Sequence, residues 1–290
     1  DDMPTQDEVI ELLAYLHQAD MLQSDMPPDI QDLSQRGRKE KQRRWLSILR
    51  SPAVMNFPLL DPDNFLEKTL LFVRPVFSRT GFMIWLAVIF FALIQTGIHW
   101  CELTSNVTDR VLSLQNLFLL GLIYPITRVL HEFGHAYAVK RWGGEVHEMG
   151  IMLIAFMPIP YVDASASSAF ERKGRRIMVG AAGIMVDLFM AACAMIAWSN
   201  LEPGMTRAVA YNVILIGGVS TLLLNGNPLL RFDAYYILSD FLEIPNLADR
   251  GNKYIGYLLQ RYLFGIRDAQ SPVQASGEGP WLFLYAVAAF

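Results

Sequence analysis

Four long stretches carry no charged side chain, or only one, and they limit what this chain can become. Gly81–Trp100 runs twenty residues without Asp, Glu, Lys or Arg, and Val111–Thr127 runs seventeen. Ile177–Leu201 is interrupted by Asp187 alone, and Ala208–Leu230 has no charge at all. Crossing a bilayer as a helix takes about 20 predominantly apolar residues. In hydrocarbon the backbone must satisfy its own hydrogen bonds, which such helices do. The expected class is therefore mainly α, a polytopic helical membrane protein. The 53% hydrophobic and 18% charged composition fits that class. Trp281–Phe290 reads as the start of a fifth span. Met149–Val162 is uncharged but only fourteen residues long, and it contains Pro158 and Pro160. Proline removes backbone donors, so a short re-entrant or edge-strand segment is expected there.

The basic residues set an orientation. Before the first span lie Arg36, Arg38, Lys39, Lys41, Arg43, Arg44, Arg50, Arg74 and Arg79. Between the second and third lie Lys140, Arg141, Arg172, Lys173, Arg175 and Arg176, and after the fourth come Arg231, Arg250, Lys253, Arg261 and Arg267. The opposite loops carry Arg110 and Arg207 only. Lys and Arg are retained on the cytoplasmic side, so the N-terminal region, the loop after the second span and residues 231–280 are expected there. Within the N-terminal region, Val9, Leu12, Leu13, Leu16 and Leu22 suit a short amphipathic helix, and the basic stretch Arg36–Arg50 suits an anionic inner leaflet. The net charge of −4 gives no electrostatic footprint for nucleic acid. Cys101 and Cys193 match no metal spacing and form no disulfide framework. The chain begins without Met and stops inside an apolar run, as a fragment of a longer protein would.

Chemistry enters at the end of the second apolar run. His131, Glu132 and His135 form H-E-x-x-H. On a helix, residues four apart share a face, so two imidazoles can hold one zinc ion while the intervening glutamate acts on a water. A third ligand must come from elsewhere. A histidine six residues after His135, as in astacin-like proteases, is excluded, because that position is Arg141. His147 and Asp233 remain.

In "NGNPLLRFDAYY", Asn225, Pro228 and Asp233 follow N-x-x-P-x-x-x-x-D. This pattern and the H-E-x-x-H helix resemble the site-2 protease family of intramembrane zinc metalloproteases. The segments "GGEVHEMGIM", "PYVDAS" and "NGNPLLRFDAYYILSD" are most similar to its bacterial peptide zinc metalloprotease branch, with Ala234 standing where that family has glycine. The resemblance implies zinc ligation by His131, His135 and Asp233, Glu132 as general base, and Asn225 as a substrate or oxyanion contact, with turn capping as the alternative. It also implies a membrane-embedded or membrane-associated protein or peptide as substrate, and a secretion-adaptor partner or domain.

Physical arguments favour Asp233 over His147. Pro228 breaks the fourth helix so that Asp233 can turn toward the metal, at the depth of His131. A carboxylate also lowers the charge of a dication in a low-dielectric setting, as a third imidazole would not. Asp187, in mid-span, is expected either to orient a ligating histidine or to pair with a hydroxyl or basic side chain. Asp163 is expected to cap the re-entrant segment, and Arg128 to pair with an acid or to snorkel. The resulting organisation is a cytoplasmic N-terminal region (1–75), a transmembrane zinc-protease core (76–240) and a cytoplasmic segment leading into a truncated transmembrane helix (241–290). The expected function is zinc-dependent endopeptidase activity in a bacterial inner membrane, the site facing the cytoplasm. The alternative is a non-catalytic part of a peptide or protein export system whose membrane core binds metal.

Overall fold

The computed structural model describes residues 54–154, 157–266 and 270–289. The amphipathic and basic segments expected within 1–50 lie outside the described residues. From Asn56 onward the chain forms one compact unit. It is mainly helical, with a small sheet of order β1–β2–β3.

The chain order starts with β1 (Val54–Leu60), α1 (Asp63–Val73), α2 (Arg79–Ile98), α3 (Trp100–Thr104), α4 (Val107–Leu112) and α5 (Leu114–Arg141). Next come β2 (Met149–Ile154), β3 (Met157–Val162), a 3₁₀ turn (Ser165–Ala169), α6 (Lys173–Asn200) and α7 (Met205–Ile214). The rest comprises α8 (Asp233–Leu242), α9 (Leu247–Leu258) and α10 (Glu278–Ala289). After α7 the helix continues with wider, π-type turns over Leu215–Asn225, and after α9 over Leu259–Leu263.

Four helices have the length and composition to cross a membrane: Arg79–Ile98, Leu114–Arg141, Lys173–Asn200 and Met205–Asn225. α2 buries Ala92 alone, and Phe82, Met83, Ile84, Phe90 and Phe91 stand exposed around it. A helix that is apolar all round has no wet face, which suits a lipid-facing position. α6 is central, packing against α2, α5, α7 with its π extension, and α8. Small residues permit this. A methyl group on Gly134 of α5 would come within 2.9 Å of Val186 Cγ2 and 3.0 Å of Ala182 O on α6. Such close approach is how apolar helices associate where water drives nothing. The buried Asn116 and Asn212 amides exchange hydrogen bonds of 3.1 and 2.8 Å, joining α5 to α7. α5 stops at Trp142–Gly143, where Gly143 adopts φ +83°, the left-handed geometry that ends helices.

Met149–Val162 folds as an antiparallel hairpin, pairing Met149 with Val162 and Ile154 with Met157. Pro158 and Pro160 lie on β3, at the edge of the sheet, where a missing N–H breaks no ladder bond. Residues 56–73, which the sequence groups with the N-terminal region, pack with the helical core here. Leu66 is fully buried among Ala136, Val139, Val146 and Val179. Asp63 accepts from Lys140 Nζ at 2.7 Å and from Val146 N–H at 2.9 Å, tying α1 to the end of α5.

Candidate metal centre

α5 and α6 run antiparallel, with facing residues three or four apart on α5 and four apart on α6. On α6, Val179, Gly183 and Asp187 form one ridge. On α5, Arg128, His131 and His135 face it. His135 Nδ1 donates to the Val179 carbonyl at 2.7 Å. His131 Nδ1 donates to Asp187 Oδ2 at 2.8 Å. A carbonyl and a carboxylate only accept, so both Nδ1 atoms carry the proton, and as neutral imidazoles both rings present Nε2 lone pairs. These lone pairs lie 3.1 Å apart.

Asp233 completes the cluster from the first turn of α8. Its Oδ2 is 3.1 Å from His131 Nε2, and its Oδ1 is 3.4 Å from His135 Nε2. Asp233 Oδ2 is buried and has no hydrogen-bond partner among the described residues. His131, His135 and Asp233 thus offer three ligand atoms within 4.8 Å of one another. Two lone pairs and a carboxylate at such range repel unless a proton or a metal cation lies between them. Zinc binds at about 2.0–2.1 Å with tetrahedral angles, which places its ligand atoms about 3.3 Å apart. The two Nε2 atoms are 3.1 Å apart, near that edge length, each faces a different oxygen of Asp233 at 3.1 and 3.4 Å, and the donor set of two imidazoles and one carboxylate suits zinc. The residues therefore fit the metal.

Gly183 forms the floor of the cluster. A methyl group there would sit 2.4 Å from His135 Nε2 and 2.5 Å from His131 Nε2. The sequence does not single out Gly183. Its one signal is the four-residue spacing from Asp187 on the same helix face. Thr221 also escapes a sequence reading: it lies in an apolar run, yet its hydroxyl is 2.6 Å from Asp187 Oδ2.

The remaining candidates fall as follows. Glu132 accepts the Val162 N–H at 3.0 Å, so the hairpin orients its carboxylate. Asp187 is fully buried and contacts both His131 and Arg128, whose Nη2 is 2.8 Å away. Arg128 is buried and paired, with no snorkelling. Pro228 lies in the loop between the π turns and α8, after Asn227, whose side chain accepts Leu229 N–H at 3.0 Å. Asn225 is buried at the end of the π turns and makes no side-chain hydrogen bond among the described residues. Ala234 is in the first turn of α8 without positive φ, so nothing there requires glycine. Asp163 Oδ1 accepts from Ser165 N–H at 3.0 Å, capping the 3₁₀ turn. His147 is away from the cluster, its side chain 61% exposed, between Asp61 at 3.3 Å and Glu145 at 3.1 Å. Those two carboxylates raise its pKa above the ordinary 6.5.

A cavity of about 1040 Å³ opens from the cluster. Glu132, His135 and Asp233 line its inner end, and Ser165, Arg176 and Ser239 its outer walls. Arg176 is held by Asp240 at 2.8 Å and by the Phe170 carbonyl at 2.8 Å.

The chain is 24% identical over 168 residues to the "Putative peptide zinc metalloprotease protein YydH" of Bacillus subtilis (strain 168). The matched stretch is 58% of this chain and 65% of that protein, so the chain spans just under two thirds of the relative's length. No family model matches the chain, and no solved structure matches it.

The charge of the site also points to a dication. Asp187 is fully buried beside Arg128, and Glu132 and Asp233 are half-buried at the cavity, so the cluster holds three carboxylates to one arginine among the described residues. Unbalanced charge at such depth is expensive. With a dication bound, these charges cancel.

Proposed function

We propose that this chain is a zinc-dependent endopeptidase of the site-2 protease type, cleaving peptide bonds of membrane-embedded or membrane-associated proteins. The observation that carries the reading is the convergence of His131 and His135 with Asp233, about a hundred residues away, beside Glu132 and along a cavity. The name of the Bacillus relative supports the same chemistry. The four long apolar helices support a multi-pass protein, and the Lys/Arg asymmetry supports a bacterial inner membrane with the site toward the cytoplasm.

His131, His135 and Asp233 would hold a zinc ion, which would supply Lewis acidity to polarise the scissile carbonyl and make water nucleophilic near neutral pH. Glu132 takes the proton from the attacking water and delivers it to the leaving amine. The Val162 N–H fixes one of its oxygens and leaves the other for this transfer. Asp187 and the Val179 carbonyl hold the two imidazoles in the ligating tautomer. A helical substrate must unwind locally to present its carbonyl, and the cavity has room for an extended segment. Asn225 is proposed to meet the unwound strand once it enters. A secretion-adaptor domain or partner would deliver that substrate.

The test is Glu132→Gln. Both histidines remain, so zinc should stay near one per chain while cleavage of a membrane peptide falls by roughly 10²–10⁴-fold. Undiminished cleavage would remove Glu132 from the mechanism.

A further inference from the structure

We propose that Arg128 and Thr221 are positioning residues for His131, acting through Asp187, so that the π-wound part of the fourth long helix sets the strength of metal binding. The proposal rests on the metal-site reading above and is independent of any substrate.

Three donors converge on one oxygen. Asp187 Oδ2 is 2.8 Å from Arg128 Nη2, 2.8 Å from His131 Nδ1 and 2.6 Å from Thr221 Oγ1. Arg128 Nη2 is also 3.2 Å from Thr221 Oγ1. The Thr221 hydroxyl therefore accepts from the guanidinium and donates to the carboxylate. Both its functions are used. α5, α6 and the π turns meet at this single atom.

The geometry is a poor one for a device that only staples helices. Arginine and carboxylate bind most strongly as a two-pronged pair. Here Arg128 Nε and Asp187 Oδ1 are both buried and have no hydrogen-bond partner among the described residues. The carboxylate forgoes the second prong and turns Oδ2 toward His131. A buried ion pair is in any case weak evidence of added stability, because desolvation offsets much of the attraction. What this arrangement secures is the direction of the acceptor. His131 must donate Nδ1–H to Oδ2, which leaves the Nε2 lone pair aimed at Asp233 and His135.

The π turns bring Thr221 into place. Its Oγ1 lies 3.2 Å from the carbonyl of Ile216, five residues earlier, and Gly226 N–H reaches the Thr221 carbonyl at 2.8 Å. Such wide turns recur at functional sites. From Thr221 the chain runs through Asn225 and Pro228 to Asp233. One metal ligand thus lies on the segment that, through Thr221, orients another.

Partners that orient a ligating histidine are worth about 10–100-fold in metal affinity. Thr221→Val keeps the side-chain shape and removes the hydroxyl. It should weaken zinc binding by about 10-fold, the low end of that range. Thr221→Ser should restore it to within about 2-fold, since the hydroxyl returns. Arg128→Lys keeps the charge but loses the fork, and should also weaken binding. Zinc affinity is read by competition with a chromophoric chelator, and ligand geometry by the visible spectrum of the cobalt-loaded protein. Thermal unfolding of the metal-free variants separates positioning from stability. A merely structural role would lower the metal-free melting temperature and leave affinity and spectrum as in the parent. Wild-type affinity and spectrum in both Thr221→Val and Arg128→Lys would overturn the proposal. Should Arg128→Lys fail to fold, the Thr221→Val and Thr221→Ser pair decides alone. Absence of tight zinc binding by the parent protein would instead sink the metal-site reading itself.

Discussion

Replacing Gly183 by alanine tests the metal centre without touching a ligand. The new methyl group would lie 2.4 Å from His135 Nε2, 2.5 Å from His131 Nε2 and 2.6 Å from His131 Cε1. An ordinary contact is about 3.5 Å, so close to 1 Å must open. Metal–ligand distances tolerate about 0.2 Å. Neither histidine can retreat cheaply, because Val179 O and Asp187 hold their Nδ1 atoms. Overpacking of this kind costs about 1–3 kcal/mol. If it falls on the metal-bound state, that is about a 5- to 150-fold loss of zinc affinity. Zinc is measured by chelator competition on detergent-purified protein. Gly174→Ala is the control. It is on the same helix with nothing within 4 Å, and should be neutral or stabilising by up to about 1 kcal/mol. Wild-type zinc affinity in Gly183→Ala would mean that the Nε2 atoms do not face α6 as described, and the inferred coordination would fail.

Three further outcomes are expected. Asp233→Ala should lose most of the zinc in elemental analysis, whereas His147→Ala should keep nearly all of it. The reverse result would assign the third ligand to His147. In a background with Cys101 and Cys193 replaced by serine, single cysteines at Ser105 and Asn200 should react with an impermeant reagent added outside cells, and one at Ser271 should not. Labelling at Ser271 with protection at the other two would invert the orientation. The third outcome is acid sensitivity at the α1–α5 clamp. Hydrogen bonds from Lys140 and from the Val146 N–H hold the Asp63 carboxyl below its ordinary value of 3.8. A depressed carboxylate stabilises the fold above its unfolded pKa and loses that contribution as pH falls through the folded one. Asp63→Asn should therefore lower the melting temperature at pH 7, and the difference from wild type should begin to shrink near pH 4 and be lost as pH falls below the folded pKa. An equal difference at pH 7 and pH 3 would separate the clamp from ionisation.

Much of the helical framework is legible in the sequence because lipid demands continuous apolar runs. Its boundaries are less so. Charges end the second apolar run at Thr127, yet α5 continues to Arg141. The helix tolerates those charges because their partners come from far along the chain. Arg128 meets Asp187, and Lys140 meets Asp63. Pro158 and Pro160 mark Met149–Val162 as non-helical, but the hairpin register depends on pairing that local composition does not encode. The two histidines share a face by spacing alone. Gly183 and Thr221 are different. A glycine among several in α6, and a hydroxyl in an apolar run, acquire meaning only from what lies across the helix interface. The π winding that delivers Thr221 leaves no compositional trace either.

The antiparallel crossing of α5 and α6 explains why the site takes this form. A four-residue step along a helix advances about 6 Å and returns to nearly the same face. Two such ridges, Arg128–His131–His135 with steps of three and four and Asp187–Gly183–Val179 with steps of four, therefore stay in register over two turns. Each partner on α6 does something different. A carboxylate holds one imidazole, a carbonyl holds the other, and a bare Cα between them leaves space for the ligand atoms. Shifting α6 by one residue would rotate its contacts by about 100° and break all three relations together. Gly134 enforces the register from the α5 side, because its close contact with Ala182 and Val186 admits no larger residue. The packing that joins the two helices and the geometry that would hold the ion are thus one constraint. That is why a methyl group at either glycine should act on metal binding as well as on stability.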